Sequence, residues 1–449
     1  MLCRELAARS TPAHIEVTIM RILNIALGLV LAGNAMAEAK GLSDIYQLAV
    51  ANDPSLRAQI AARDASEALG NQIRGAQGLS VSASASVKGT QNFKSDDHYG
   101  TGTLSLSLSV PLYDRGLSSS IDSQDAEVRQ ADAILVAYRQ SHILSVTNAY
   151  FAVLSSEQDL LASRAEVEAF ERQLEQASER LIVGIGTRVD VDQARARLDL
   201  SKVGLISAEV ALDTSRSDLE KLVDAPILGL SGLEASFTAG LHRPLDGNWE
   251  TLVDSHPDVI AEREAYQSAL ADLDEVRAET TPTLALSSTF SISDTSGSSI
   301  PATNTSARSN ALSLTLSAPI YTNGVAPAKV DVAEAGVVKA EADLLRVRRK
   351  VLANMRETYR NLEASARTVE ARQLAIVSAA SRVEATEAAY AVGSGDIVEL
   401  LNSKKDLFAA ERDFAKARHN HVVRQLQLDR AVGDLSESAI VRIDQALAQ

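Results

Sequence analysis

Residues 107–116 read Ser107-Leu108-Ser109-Val110-Pro111-Leu112-Tyr113-Asp114-Arg115-Gly116, and the same pattern returns as Leu314-Thr315-Leu316-Ser317-Ala318-Pro319-Ile320-Tyr321-Thr322-Asn323-Gly324. Each copy alternates apolar and small polar residues, meets a proline and an aromatic, and passes straight into a very long helical pattern. Alternation of this kind gives a strand one apolar and one hydroxyl-bearing face. Proline has no ladder N–H and a fixed φ, so it suits the end of a strand and the start of a helix. Each strand has a partner upstream, Leu-Ser-Val-Ser-Ala-Ser-Ala-Ser-Val at 79–87 and Leu-Ala-Leu-Ser-Ser-Thr-Phe-Ser-Ile at 284–292. The intervening stretches, 88–102 and 293–310, are rich in Ser, Asn, Asp, Thr and Gly and read as loops.

Downstream of both junctions the chain repeats itself. Val146, Val153, Leu160, Val167, Leu174 and Leu181 recur every seven residues, and a shift of 209 carries them onto Met355, Leu362, Val369, Ile376, Val383 and Tyr390. The same shift takes Tyr150 to Tyr359 and Val183-Gly184-Ile185-Gly186 to Val392-Gly393-Ser394-Gly395. A second series, Val191, Leu198, Leu205, Leu212 and Leu219, maps onto Leu400, Leu407, Phe414, His421 and Leu428 with a single polar member. The chain is an internal duplication. Strict sevens predict coiled-coil packing. Residues 117–183 and 337–392 hold neither Gly nor Pro, so each half predicts a helix that is on the order of 100 Å long where the run is longest. Gly-x-Gly then turns the chain, and a return helix follows, in the first half to about Asp224 before Pro226. Each half is a long antiparallel helical hairpin with its tip at VGIG or VGSG.

Composition narrows the function classes. The 449 residues include 45% hydrophobic but only 4% aromatic residues, and the formal charge is −15 without any basic cluster, which excludes a nucleic-acid binder. One cysteine, Cys3, leaves no disulfide framework, redox pair or thiolate metal cluster. From Met20 the chain reads as an export signal: Arg21, an apolar run from Ile22 to about Ala32, and the small-residue site Ala35-Met36-Ala37. Such a run is too short to span a bilayer. Residues 20–37 are expected to be removed after Ala37, with residues 1–19 an upstream extension from a misassigned start codon. No later segment is apolar enough for a membrane helix. An exported chain with strands of about 9–11 residues favours an outer-membrane barrel, leucines to lipid and serines to a wet lumen, over a soluble sandwich. Four strands cannot close a barrel, and open edges cannot stand in lipid, so several chains must share one.

The order and duplication of several motifs resemble the TolC family of outer-membrane efflux and secretion channels over nearly the whole exported length. These are the helix openings Asn52-Asp53-Pro54 and Ser255-His256-Pro257-Asp258, both strand–Pro–Tyr junctions, Ala149-Tyr150-Phe151-Ala152-Val153-Leu154, and the stretches 183–200 and 389–421. The resemblance implies a mixed α/β membrane protein: a homotrimer with a twelve-stranded β-barrel, four strands per chain, continuing into a twelve-helix periplasmic α-barrel of antiparallel coiled-coil hairpins. It divides the chain into a first repeat at 38–225, an equatorial linker at 226–255, a second repeat at 256–435 and a C-terminal tail at 436–449. It further implies a passive exit duct of a tripartite efflux pump or type I secretion system. A periplasmic adaptor and an RND- or ABC-type inner-membrane pump supply energy and select cargo, and the periplasmic end opens by an iris-like movement of the hairpins.

Carried over residue by residue, Tyr390 matches a tether tyrosine, Asp190 its acidic partner, and Glu399 the first constriction carboxylate. Two positions depart, since Gly395 stands where a tethering arginine is expected and Asn402 where a second acidic ring would be. Val183, Gly184, Gly186, Val392, Gly393 and Gly395 resemble adaptor-docking tips, although glycines there also serve as local helix caps. Pro111, Tyr113, Pro319 and Tyr321 mark the barrel–tunnel junction, where amphipathic rings favour the membrane interface.

Other constellations carry no chemistry. His419 and His421 are two apart on a helix and do not share a face; Gly184-x-Gly186 follows a helix and lacks a third glycine; no nucleophile elbow occurs; Asp272 and Asp274 read as helix surface charge. The sequence therefore predicts no enzyme, no cofactor and no metal site. The reading from another class is a coiled-coil structural or attachment protein of the cell envelope.

Overall fold

The computed structural model describes residues 40–92, 97–227, 229–234, 249–297, 305–445 and 447. The export signal and the upstream extension lie outside the described residues.

The elements follow a duplicated order. In the first half α1 (Leu42–Asn52) and α2 (Pro54–Gly75) precede β1 (Ser80–Asn92) and β2 (Asp97–Tyr113), then α3 (Arg115–Ile182) and α4 (Arg188–Val223). In the second half α5 (Trp249–Asp254) and α6 (Pro257–Ala278) precede β3 (Thr283–Gly297) and β4 (Thr305–Ser317), then α7 (Val325–Ala391), α8 (Ile397–Ala431) and α9 (Glu437–Asp444). Local chemistry sets the starts. Proline occupies the first turn of α2 and α6, where its missing N–H costs nothing, and Asp53 and His256 accept from the N–H groups of Ser55 and Asp258. Among the described residues no helix is long and apolar enough to cross a membrane.

The four strands form one antiparallel sheet in the order β1-β2-β3-β4. Its register sorts the side chains by chemistry. Ser84, Ser105, Ser291 and Ser309 lie in one row across all four strands, as do Ser80, Ser109, Ser287 and Ser313. Hydroxyls bond along these rows, Ser84 to Ser105 at 2.8 Å and Ser291 to Ser309 at 2.8 Å. The opposite face is mostly apolar, with Val81, Leu108, Ser288 and Leu312 in one row and Ala83, Leu106, Phe290 and Asn310 in the next, where Ser288 bonds Asn310. Among the described residues β1 and β4 have no strand beyond them, so the described sheet has two open edges.

Four expectations need correction here. Pairing runs through much of the stretches read as loops, with Lys88 opposite Thr101, Asn92 opposite Asp97 and Thr295 opposite Thr305. The strands are 13, 17, 15 and 13 residues long rather than 9–11. Ser, Thr, Asn and Gly there show no apolar alternation, but a facing strand satisfies each backbone group whatever the side chains are. Pro111 does not end its strand: β2 continues to Tyr113, and the ladder to β3 absorbs the proline by a register shift between Pro111 and Tyr113. Finally, α7 starts at Val325 and so contains Pro327 and Gly336. Proline at the third helical position gives up an N–H that has no intrahelical acceptor anyway.

The helices continue the sheet strand by strand. Nearest the sheet the order of packing is α2-α3-α6-α7, the order of the strands they join; farther away it is α4-α3-α8-α7. Thus α4 takes over from α2 and α8 from α6, while α3 and α7 run through both levels. The hand-over points are tied. Asn52 Nδ2 donates to Val223 O at 2.8 Å, and Gln140 Nε2 donates to Gly433 O at 2.8 Å, where Gly433 packs on His256 and Pro257. Around this level α1, α9 and the segment bearing Ala225, Ile227, Leu230 and Leu233 pack on α3, α4 and α8 in a core that includes Leu42, Ile45, Tyr150, Leu219 and Ile440. The repeat-related tyrosines each hold a strap: Tyr150 Oη donates to Ser231 O at 2.6 Å, and the Tyr359 ring meets Trp249 edge-on at 5.6 Å. The heptad seam is buried at Val146, Val153 and Leu160 and at Met355, Leu362 and Val369. Its single polar member, His421, is fully buried with Nδ1 2.8 Å from Ser365 Oγ on α7, while His419 faces Ser155 Oγ at 2.8 Å on α3.

Candidate functional site at the hairpin tips

Both hairpins turn through the same backbone device. Gly184 and Gly393 sit at φ +81° and +79°, the left-handed region that a Cβ disfavours. Beyond them the N–H groups of Ile185 and Gly186 share the carbonyl of Arg180 at 3.0 and 2.9 Å, and those of Ser394 and Gly395 share Ala389 O at 3.0 and 3.0 Å. The second glycine of each pair answers to space instead. A Cβ on Gly186 would lie 3.0 Å from Arg180 Cβ, and one on Gly395 3.0 Å from Ala389 Cβ and Tyr390 N. A side chain at 395 would press on Ala389 and on the Tyr390 backbone, and the glycine leaves this position without the arginine expected there. Around these turns Val183 is 67% and Val392 79% exposed, so each tip offers a small apolar surface to water.

The return helices begin differently, which separates two carboxylates that the repeat makes equivalent. Thr187 and Asp190 form a reciprocal capping box: Asp190 N–H donates to Thr187 Oγ1 at 3.2 Å and Thr187 N–H to Asp190 Oδ2 at 2.9 Å. Asp190 is thus engaged at its own helix start. It acts on Tyr390 only through space, where its charge adds to burial in pushing the phenol upward while Arg180 opposes both. In α8 the cap is Asp396, which accepts from Val398 N–H at 3.0 Å, and Glu399 in the first turn stays exposed. No ion pair involves Glu399 among the described residues.

Between the tips the two hairpins pack on each other. Phe170, Ala177, Ala194 and Leu198 of the first meet Tyr390, Ile397, Leu400 and Leu401 of the second in one buried cluster. Arg180 closes this cluster on the tip side. Its guanidinium carbon stands 4.5 Å from the centre of the Tyr390 ring, and Nη1 donates to Tyr390 O at 3.1 Å. Farther up, Arg197 Nη2 donates to Asn402 Oδ1, and two ion pairs follow between the hairpins, Arg412 to Glu166 at 3.0 Å and Lys416 to Asp159 at 2.6 Å.

Of the residues singled out in the sequence, Tyr390 and Asn402 lie in the contact between hairpins, Asp190 lies near it, and Glu399 and the tip valines face solvent. The arginines that engage Tyr390 and Asn402 were missed. A signal for them existed: the shift of 209 that preserves so much else maps Arg180 onto Ala389 and Arg197 onto Asp406, so both are places where the two halves differ.

At the other end of the helices the two junctions are not equivalent. Tyr113 closes β2 and Asp114 caps α3 by accepting from Leu117 N–H at 3.0 Å. In the second half β4 stops at Ser317, before Pro319, and the exposed Tyr321 donates to Asn323 Oδ1 at 3.1 Å in an irregular segment before Gly324 opens α7.

A family model described as outer membrane efflux protein matches residues 45–224 and again 250–434. The outer membrane protein TolC of Vibrio cholerae is 29% identical over 91% of this chain and 94% of its own length. The alkaline protease secretion protein AprF of Pseudomonas aeruginosa is 26% identical over 90% and 86%. Among solved structures, that of CusC, described in terms of transmembrane channel formation, aligns with a TM-score of 0.78 at 15% identity over 89% of this chain and 95% of its own. The family is one of transport conduits, not enzymes. The chain belongs to the outer membrane efflux protein family, with the family's fold in two repeats: four strands of a β-barrel continued by long helical hairpins of a tunnel wall.

Proposed function

We propose that three copies of this chain form the outer-membrane exit duct of a tripartite efflux pump or type I secretion system. The observation that carries the reading is the open-edged sheet with one lipid-compatible and one hydroxyl face, extended in the same order by a helical wall that ends in close-packed tips. Three four-stranded sheets joined edge to edge give twelve strands and remove every edge. The flanking helices support the same assembly: α4 leaves Leu200, Val203, Ile206 and Val210 exposed on one side, and α7 leaves Val332, Val338, Leu374 and Val377 exposed on the other.

In this reading residues 20–37 export the chain, 38–225 and 256–435 are the two repeats of the wall, and 226–255 with 436–449 form a belt around it. Tyr113 and Tyr321 mark the lower membrane interface. A periplasmic adaptor docks on the apolar tips around Val183 and Val392, and an RND- or ABC-type pump delivers cargo through it. Glu399, exposed and unpaired, supplies three carboxylates to the narrow mouth, which favours cations. Opening moves the hairpins apart.

The test is extraction of the protein from outer-membrane fractions and its reconstitution into planar bilayers. Detergent-dependent trimers that conduct, together with drug hypersensitivity or a lost secreted protein in a deletion strain, are the expected outcome. A species that is soluble without detergent and silent in bilayers would instead identify a structural coiled-coil protein.

A further inference from the structure

The polar contact that closes the tip lies within one chain. Arg180 belongs to the last turn of α3, and its carbonyl accepts the two N–H groups that form the first tip, so its backbone is fixed to the first hairpin. Its side chain crosses to the second hairpin, covers the ring of Tyr390 at 4.5 Å and donates to the carbonyl of the same residue at 3.1 Å. Tyr390 is only 7% exposed, so the cation lies over a ring shielded from water, where such contacts are strongest. Arg197 repeats the crossing by donating to Asn402. Elements of an alternative tether between chains are missing or engaged elsewhere: Gly395 carries no side chain, and Asp190 is bonded in its own capping box.

We propose that Arg180 is the latch of the periplasmic gate, and that it locks each chain's two hairpins together from within, through the ring face and the carbonyl of Tyr390 rather than through its hydroxyl. The inference rests on the exit-duct reading. Separating the second hairpin from the first must break a cation–π contact and a charged hydrogen bond at once, while no arginine on the tip of α8 has to be pulled from a neighbouring chain. Three latches of this kind act separately, so mixed trimers open in steps with the number of intact latches.

The experiment is single-channel recording of purified trimers in planar bilayers, comparing wild type with R180Q, R180K, Y390L and Y390F at matched trimer yield. Loss of a shielded cation–π contact and its charged hydrogen bond is expected to shift the closed-to-open ratio about tenfold or more in R180Q. Y390L, which removes the ring but keeps the carbonyl, should shift it in the same direction. Y390F, which keeps both, should stay within about threefold of wild type. R180K, a cation without the planar fork, should fall between wild type and R180Q, and it carries the test if R180Q yields no trimer. Trimers with one R180Q chain should show one-third of the shift in free energy seen with three. The latch is overturned if wild type conducts and R180Q and R180K gate like it, or if Y390F opens as far as Y390L, since that would place the tether at the hydroxyl. A wild-type protein that neither trimerises nor conducts overturns the exit-duct reading itself.

Discussion

Acidification should loosen the contact between α3 and α8, and the size of the effect can be worked from one residue. His419 lies on α8 against the ring of Phe151, with centroids 5.5 Å apart, and its Nδ1 is 2.8 Å from Ser155 Oγ. No carboxylate pairs with it among the described residues. Burial, helped by the charge of Arg418, pushes its imidazole from 6.5 down to about 4. The unfolded chain would take a proton near 6.5, whereas the folded chain resists until about 4. The stability tied to a neutral His419 is therefore fully present above pH 6.5, falls as the pH drops, and is gone below about 4. The complete gap corresponds to about 3 kcal/mol per chain, and about 2 kcal/mol of it is lost between pH 7.5 and 5.0. His142 and His256 are also held below their ordinary value, mainly by burial, so the wild-type curve falls by more than one residue's share. His419→Gln keeps an acceptor toward Ser155 but cannot titrate. Thermal unfolding in a non-ionic detergent, followed by helix content at pH 7.5 and 5.0, should show a loss smaller by about 2 kcal/mol per chain, or a few degrees, in the variant. Equal losses in the two proteins would refute a buried neutral imidazole at 419.

Other expectations are simpler. Glu399→Gln should lower the cation-to-anion permeability ratio and weaken block by divalent cations in bilayer recordings while leaving stability within about 0.5 kcal/mol, because the side chain is exposed and unpaired. Met355→Ala removes a fully buried side chain from the cluster that joins α5, α6, α7 and α8, and should cost about 2–5 kcal/mol in thermal unfolding. Val392→Glu places a charge on the exposed tip; conductance of the purified channel should persist, while drug resistance or secretion in a complemented deletion strain should fall if the tips dock the adaptor.

How much of this was legible in the sequence depended on periodicity. The two long helices and their glycine turns were readable because a seven-residue repeat sustained over six positions and a Gly-x-Gly break are signals that tertiary context does not erase. The buried row Val146, Val153, Leu160 and its copy Met355, Leu362, Val369 show why: each position faces a neighbouring helix. The full length of the strands was not readable. Lys88 to Asn92 and Thr305 to Arg308 have neither alternation nor apolar content, and only the facing strand makes them extended. Pro111 misled for the same reason, since a register shift that tolerates a proline depends on the partner at Ala285 and Leu284. The short helices α5 and α9 went unread because their apolar faces are too brief to show a period; they fold because Val253 and Ile440 find long helices to cover. At the tips, Tyr390, Glu399 and Asn402 were picked out by position. What engages them came from the other hairpin, and a contact between residues some 200 positions apart has no local trace beyond the break in the repeat at Arg180 and Arg197.

The open edges of the sheet also bear on how the protein is made. Each edge strand, β1 and β4, presents 13 residues with one row of backbone donors and acceptors that no other described strand pairs. In hydrocarbon each such group costs several kcal/mol, so a lone chain entering a bilayer would face a penalty on the order of tens of kcal/mol. Water imposes no such penalty, and there the helical flanks with Leu200, Val203, Ile206 and Val210 can find one another first. Subunit recognition in the periplasm would then bring three sheets together before, or as, any of them enters the membrane. Biogenesis on this route is a single coupled event, with the long helices acting as the scaffold on which the barrel closes.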